Sequence, residues 1–371
     1  MNTPSYHRAA LAAVVVAASA GTSFAAAAAS PTGVVVMSRS QQAAGEALPG
    51  SRSLWLLDVA STQVRALTPS VDQQFDRAAT WAPNGSAFVF EHTLVRGKQA
   101  PRDVLQVMSP TSKRPKALVH GRGESSKPAW GPGNRVAFIA SDAGVQCVAV
   151  IDAIGRKPRT LFCAPATAEL ARPQWSPDGT RLFVAGLLPE GRLEPIFHAL
   201  AYRIDATNGT TTLLSDIEMF EPLQLTFAPD GSRGVYADIV ASDMTLVDFG
   251  NGAMTPLPRG HAPVFSPDCT RIAFTGEVYE TGAEFRYYEP LFVMDADGGN
   301  VRQVTPDRVA DHAYTAAQWS RDNVHLLANY RTYEDPSLTR ANYELRLVRT
   351  DTGAVKPLSA GYAEAGAWFE P

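Results

Sequence analysis

Short runs in which apolar and polar residues alternate recur along the chain, and each follows an aromatic residue and a tight-turn sequence. The clearest copy is Trp175–Gly179 (Trp-Ser-Pro-Asp-Gly), followed by the run 180–184 (Thr-Arg-Leu-Phe-Val). Proline presets φ for the second position of a turn, and Asp or Asn followed by Gly supplies side-chain bonding and a positive φ. Alternation of period two on both sides of such a turn predicts a β-hairpin.

This unit occurs seven times. Its aromatic anchors lie 38 to 54 residues apart and are, in order, Trp81, Trp130, Trp175, Phe227, Phe265, Trp319 and Trp368. A second hairpin follows each first one, so every unit holds four short strands, which is typical of propeller blades. We therefore predict an all-β fold, a seven-bladed β-propeller of four-stranded antiparallel blades. The anchors are expected to pack as core between neighbouring blades.

The two ends of the chain are expected to share one blade. The last unit stops after its first strand, at Trp368, and strand-like runs without an anchor of their own lie at 33–38, 53–58 and 64–68. Pairing the last strand with these three removes the exposed edges of an open ring. The prediction is a single propeller domain over residues 33–371.

The N-terminal segment is typical of a secretory signal peptide. Arg8 precedes an apolar stretch from Ala9 to Ala20, and Ser23-Phe24-Ala25 supplies the small residues that a signal peptidase requires. The alternative, an uncleaved membrane anchor, needs a longer apolar stretch. We expect a signal peptide over 1–25, a short linker over 26–32, and a soluble, monomeric product that is periplasmic or secreted.

Composition narrows the classes of function. The 371 residues carry a net charge of −4, which gives no general attraction to nucleic acid or to an anionic membrane. The three cysteines are too few for a disulfide-dense scaffold. Cys147 and Cys163 flank one hairpin and, depending on its register, either face each other or miss by two residues. Cys269 replaces a turn glycine and is expected to be unpaired.

One copy of the unit carries a resemblance to a known family. The stretch 262–305 contains Ala-Pro before Phe265-Ser-Pro-Asp, then Leu-Phe-Val-Met-Asp-Ala-Asp-Gly-Gly-Asn at 291–300 and Gln-Val-Thr at 303–305. It resembles the WD-like propeller repeat of the TolB type, and the resemblance covers about residues 33–371. It implies a non-catalytic platform that binds a protein or a cell-envelope component. TolB itself has a six-bladed propeller after an α/β domain, and this chain is expected to lack that domain.

Long connections predict where binding occurs. The connection between the second and third strands is long in five blades, at about 39–51, 91–103, 186–196, 276–289 and 329–341. Function concentrates on such loops over a rigid scaffold, and Tyr and Arg are enriched in binding hot spots. The candidate binding residues, from two neighbouring blades, are Tyr279, Phe285, Arg286, Tyr287, Tyr288, Tyr330, Arg331 and Tyr333. The alternative, a loop folded on its own tyrosines as a local mini-core, stays open.

A rival hypothesis is a carbohydrate-active or metal-dependent enzyme that uses the channel mouth. Some seven-bladed relatives of this repeat type are pectic-oligosaccharide lyases with a histidine-coordinated metal, and His120, His261 and His312 map to connections on the long-loop face. The chain resembles those lyases only in its blade repeat and has no closely spaced His pair. It also lacks the G-x-S-x-G sequence of the propeller peptidases. We therefore expect no cofactor, no catalytic residue and no metal site.

Overall fold

The computed structural model describes residues 32–371 apart from 42–50, 72, 95–100, 113, 120–122, 156, 191–195, 220–222, 239, 282–285, 309, 334–340 and 361–362. Residues Pro31–Pro371 belong to one compact unit. Seven four-stranded antiparallel blades make up this unit, as the repeat predicts. In the described part, no helix is long and apolar enough to cross a membrane.

The blades follow one another along the chain. Blade 1 begins with β1 (Val34–Gln41), β2 (Ser51–Asp58) and β3 (Val64–Ala66). Blade 2 contains β4 (Asp76–Trp81), β5 (Phe88–Leu94), β6 (Arg102–Met108) and β7 (Lys116–Ala117). Blade 3 contains β8 (Glu124–Gly131), a 3₁₀ turn (Pro132–Asn134), β9 (Arg135–Asp142), β10 (Val145–Asp152) and β11 (Arg159–Cys163). Blade 4 contains β12 (Glu169–Leu170), β13 (Gln174–Trp175), β14 (Arg181–Glu190), β15 (Ile196–Asp205) and β16 (Thr211–Met219).

The later blades repeat this order. Blade 5 contains β17 (Leu223–Phe227), β18 (Arg233–Asp238), β19 (Met244–Asp248) and β20 (Met254–Leu257). Blade 6 contains β21 (His261–Phe265), β22 (Arg271–Thr275), β25 (Leu291–Asp295) and β26 (Arg302–Gln303), with β23 (Val278–Glu280) and β24 (Arg286–Tyr288) between its second and third strands. Blade 7 contains β27 (His312–Trp319), β28 (His325–Tyr333), β29 (Ala341–Arg349) and β30 (Val355–Ala360). The last strand is β31 (Ala363–Phe369).

The two chain ends close the ring, as expected. β31 pairs with β1, so that blade 1 has the order β3-β2-β1-β31. β31 also contacts β4 of blade 2 and β27 of blade 7. The first strands of neighbouring blades contact one another in this way at every junction except that of blades 4 and 5, where β17 contacts β14. The first strands are therefore the innermost strands and line the axis of the ring.

The core is divided among the interfaces between blades. One buried cluster joins blade 3 to blade 4 through Ile139, Val148, Leu182 and Leu200, and equivalent clusters join every other neighbouring pair, including blade 7 to blade 1. Each aromatic anchor belongs to the cluster that its blade shares with the blade before it. The predicted position of the anchors between blades is therefore confirmed.

The anchor tryptophans also join blades by hydrogen bonds. The indole N–H of Trp175 donates to the carbonyl of Ala129 at 3.0 Å, one residue before the anchor of blade 3. Trp81 and Trp319 make the same bond to Ala367 and Val264. Trp130 departs from this rule, because its buried indole nitrogen has no acceptor. A buried N–H without an acceptor lowers the stability of the fold, so Trp130 is an exception to the usual pairing of buried polar groups.

The hairpin of β10 and β11 contains a disulfide. Cys147 and Cys163 are directly opposed in the register of the two strands, their Cα atoms are 4.0 Å apart, and their sulfurs are bonded. The sequence left two registers open, and the facing one is the one adopted. Cys269 is free, as expected.

Candidate functional site

The long connection of blade 6 contains a small hairpin of its own. β23 and β24 pair antiparallel, with Tyr279 opposite Tyr287. The two rings lie 5.0 Å apart, and Tyr279 is 59% exposed. Arg286, next to this pair, is also exposed. The hairpin therefore presents an aromatic pair and a cation to solvent on the face that carries the long loops.

Backbone bonds attach this hairpin to blade 7. The amide of Asp311 donates to the carbonyl of Tyr287 at 2.9 Å, and the amide of Glu289 donates to the carbonyl of His312 at 2.9 Å. The amide of Tyr314 in turn donates to the carbonyl of Glu289 at 2.8 Å. The hairpin is thus fixed against the innermost strand of the next blade and does not depend on its own two short strands for order.

Glu289 is the polar centre of the site. Its carboxylate accepts a hydrogen bond from the Tyr287 hydroxyl, lies 3.7 Å from the Arg331 guanidinium and 4.0 Å from Nε2 of His261, and is 14% exposed. Burial and the bond to Glu289 raise the pKa of Tyr287, so its hydroxyl remains a donor. This arrangement draws one aromatic and two basic side chains from blades 6 and 7 around a single carboxylate.

A buried aromatic cluster supports the site from beneath. Tyr288 is 2% exposed, stacks at 5.6 Å on His312, and donates from its hydroxyl to Glu280 at 2.9 Å. Tyr330 is 6% exposed and lies 4.7 Å from Tyr314. The guanidinium of Arg346 covers the Tyr330 ring at 3.3 Å.

The mini-core interpretation therefore applies to some of these tyrosines and not to others. Tyr288 and Tyr330 belong to a local mini-core, whereas Tyr279 and Arg286 are exposed and Tyr287 and Arg331 are half-buried. The backbone of Tyr333 ends β28, and Phe285 lies outside the described residues. A binding role for these residues stays a prediction.

Sequence reasoning did not select Glu289. Glu289 lies two residues after Tyr287, and residues two apart in an extended segment point to the same side. This spacing could have predicted that Glu289 lies beside Tyr287.

Two of the three candidate metal-binding histidines lie in this region. His261 faces Glu289, and His312 is buried among Tyr288, Tyr314 and Tyr330. His120 lies outside the described residues. Within the described part, no group of three or more His, Cys, Asp or Glu side chains could hold a metal ion.

Comparison with known proteins gives a partial sequence match. No family model matches the chain. The uncharacterized peptidase YuxL of Bacillus subtilis (strain 168) is 30% identical over 174 residues, which are 44% of this chain and 23% of that protein. The match thus spans about a quarter of the length of this curated relative.

Solved structures agree in fold at low sequence identity. Puromycin hydrolase aligns with a TM-score of 0.62 and 17% identity, over 92% of this chain and 54% of that one. Oligogalacturonate lyase in complex with manganese aligns with a TM-score of 0.57 and 13% identity, over 89% of this chain and 86% of that one. At these identities the similarity establishes the propeller fold alone.

TolB from Acinetobacter baumannii also aligns, with a TM-score of 0.46 and 16% identity, over 89% of this chain and 81% of that one. The fold is established by the seven sheets themselves and does not rest on this alignment. The seven-bladed propeller expected from the repeat is confirmed by the blades and by their closure.

Proposed function

We propose that this protein is a non-catalytic platform that binds a protein or another cell-envelope component through its long-loop face. The pair of exposed Tyr279 and half-buried Tyr287 on the hairpin of blade 6 is the observation that carries the proposal. Tyr and Arg provide large contact area with few rotatable bonds, which is why they dominate binding hot spots. The resemblance of the blade repeat to TolB-type repeats supports the class of partner.

Rigidity of the hairpin favours binding. The bonds to the backbones of Asp311 and His312 order the hairpin before any partner arrives. A partner then need not supply the free energy to order this segment, and preorganisation of this kind increases affinity.

Charge at the hairpin favours a partner with groups of both signs. Arg286 is exposed beside the tyrosine pair, and Glu277 accepts a 3.3 Å hydrogen bond from the Tyr279 hydroxyl. Rim charges of this kind orient a partner and raise its association rate more than they add affinity.

Site-specific photo-crosslinking tests the proposal. A photoreactive amino acid at Tyr279 is expected to crosslink one envelope component, and that component should be lost from affinity capture by the Y279A/Y287A double variant, by roughly tenfold or more for a hot-spot pair. Ile154 is the matched control, because it is 72% exposed and lies in the third-to-fourth-strand turn of blade 3, on the opposite face. Equal crosslinking at both positions, or unchanged capture by the double variant, contradicts the proposal.

A further inference from the structure

The innermost strands carry a second set of side chains that the proposed surface does not use. In each blade, one residue of the innermost strand lies three positions before the aromatic anchor. These seven residues occupy equivalent positions around the axis of the ring. Small residues occupy this position in four blades, and the series is Ala78, Lys127, Arg172, Gln224, Ala262, Ala316 and Ala365. The two cations are therefore neighbours, on blades 3 and 4.

The first strands are irregular close to this position. Bulges interrupt the first strand two or three residues before the anchor in blades 1, 2, 3, 6 and 7, and the first strand of blade 4 is divided at the same place into β12 and β13. At Lys127 the bulge requires a φ of +53°. A bulge redirects a side chain that a regular strand would place against its neighbour, and such features are often found beside functional sites.

Arg172 reaches across the channel. Its guanidinium donates to the carbonyl of Ala78 at 3.3 Å, and Ala78 belongs to blade 2, which is not adjacent to blade 4. Lys127, on the blade between them, donates from Nζ to the carbonyl of Leu170 at 2.6 Å. Both bonds use neutral acceptors, so neither compensates a full positive charge.

The carboxylates near this pair are engaged elsewhere or lie farther away. Glu91 is bound by the backbone amide of Lys127 at 2.5 Å and by Arg77 at 3.0 Å. Glu169 lines a neighbouring cavity, together with Lys127. Among the described residues, none places a carboxylate oxygen within 4.0 Å of the charged groups of Lys127 or Arg172.

A cavity of about 490 Å³ adjoins Arg172. The innermost strands of blades 3, 4 and 5 line it, with the aromatic rings of Trp130, Trp175 and Phe227 and the amide of Gln174. A cation and aromatic walls in one cavity suit an organic anion better than an inorganic one.

We propose that the central channel binds an organic carboxylate, with Arg172 as the residue that holds its charge. The planar guanidinium matches a carboxylate in geometry, and the aromatic walls provide contact area for the organic part of the ligand. The carboxylate could belong to a small free acid or to an acidic side chain of an inserted peptide. This site is separate from the Tyr279 surface and does not depend on it.

Titration of the purified protein tests the site. Glutarate and a short glutamate-containing peptide are the probes for the two sources, neutral glutaramide is the negative probe, and the fluorescence of Trp130 and Trp175 reports occupancy. Binding of glutarate identifies a free acid as sufficient, whereas binding of the peptide alone identifies an acidic side chain. Either result supports the proposal, and absence of binding by both acids overturns it.

Variants separate the role of Arg172 from a general effect of charge. R172Q is expected to raise the Kd by about tenfold or more, because a charge-assisted hydrogen bond is lost. R65Q is the matched control and should leave the Kd unchanged, since Arg65 is an exposed cation on the outer strand of blade 1. An unchanged Kd for R172Q overturns the assignment.

A measurement on the unaltered protein keeps the test valid if R172Q does not fold. The affinity for the acids should fall as salt rises from about 50 to 500 mM, because ions screen a charge–charge contact. Insensitivity to salt contradicts the proposal. The Y279A/Y287A variant should bind the acids normally, so that failure of the platform proposal and failure of this one are distinguishable.

Discussion

The aspartates of the repeated turns act as acceptors for their own turn. The Ser176 hydroxyl donates to Asp178 at 2.6 Å, and the Thr180 amide donates to the same carboxylate at 2.9 Å. These bonds lower the pKa of Asp178 to about 2, with the Ser176 bond as the largest cause. The turn is therefore most stable when this carboxylate is charged.

The stability of the protein should consequently fall in acid. Because the native pKa of Asp178 lies below its ordinary value of 3.8, its contribution is present above about pH 4 and is lost as pH falls towards about 2. Urea unfolding at a series of pH values measures this loss. D178N should reduce the change over that window, and D142N, at an exposed aspartate outside these turns, should not. Equal acid sensitivity of D178N and the unaltered protein contradicts the role of the turn carboxylate.

Individual site residues could be predicted only in part. The enrichment in Tyr and Arg led to Tyr279 and Arg286, which are exposed. Tyr288 and Tyr330 lie in the same Tyr- and Arg-rich segments but are buried, because the loop of blade 6 packs against blade 7. Amino-acid composition carries no information on that packing. Arg172 was missed because its signal, a long cation in a series of small residues, becomes visible only after the repeats are aligned on their anchors.

At the scale of elements, the turns predicted the blades well. Pro-Asp-Gly and Asn-Gly signals locate hairpins through local backbone preferences. The shared blade of β1, β2, β3 and β31 was predicted from the last unit, which stops after its first strand. The hairpin of β23 and β24 was not predicted. It is held by bonds to blade 7 rather than by a strong turn signal, and 282–285 between its strands lie outside the described residues.

The disulfide is an element-scale feature with a measurable effect. It joins the two outer strands of blade 3 and encloses a segment with a sequence separation of 16. Closing a loop of this size should stabilise the oxidised protein by about 3 kcal/mol. Urea unfolding of C147S/C163S, compared with the unaltered protein with and without a reductant, measures this difference.

C269S is the control, because Cys269 is free. It should retain the sensitivity to reductant that C147S/C163S loses. Unfolding of the unaltered protein at the same urea concentration in both redox states would contradict a stabilising role for the bond.

At the scale of the whole molecule, we propose that the protein is exported. The apolar stretch before Ser23-Phe24-Ala25 motivates this proposal, and the facing pair Cys147–Cys163 agrees with an oxidising compartment. Protein recovered from the cell should begin at Ala26 and occur in the periplasmic or secreted fraction. A25Y should block cleavage, because the peptidase requires a small residue at that position. Full-length protein in the cytosolic fraction would contradict export.

Closure of the ring has a consequence for the order in which the protein can fold. The indole of Trp368 donates to the carbonyl of Thr32 across a sequence separation of 336, so the strands made first are completed by the strand made last. During synthesis, β1 must therefore wait with an open edge until β31 has been made. Such distant pairing makes folding slow and leaves strand edges available to other chains. The ring thus cannot close before the segment that contains Trp368 has been synthesised.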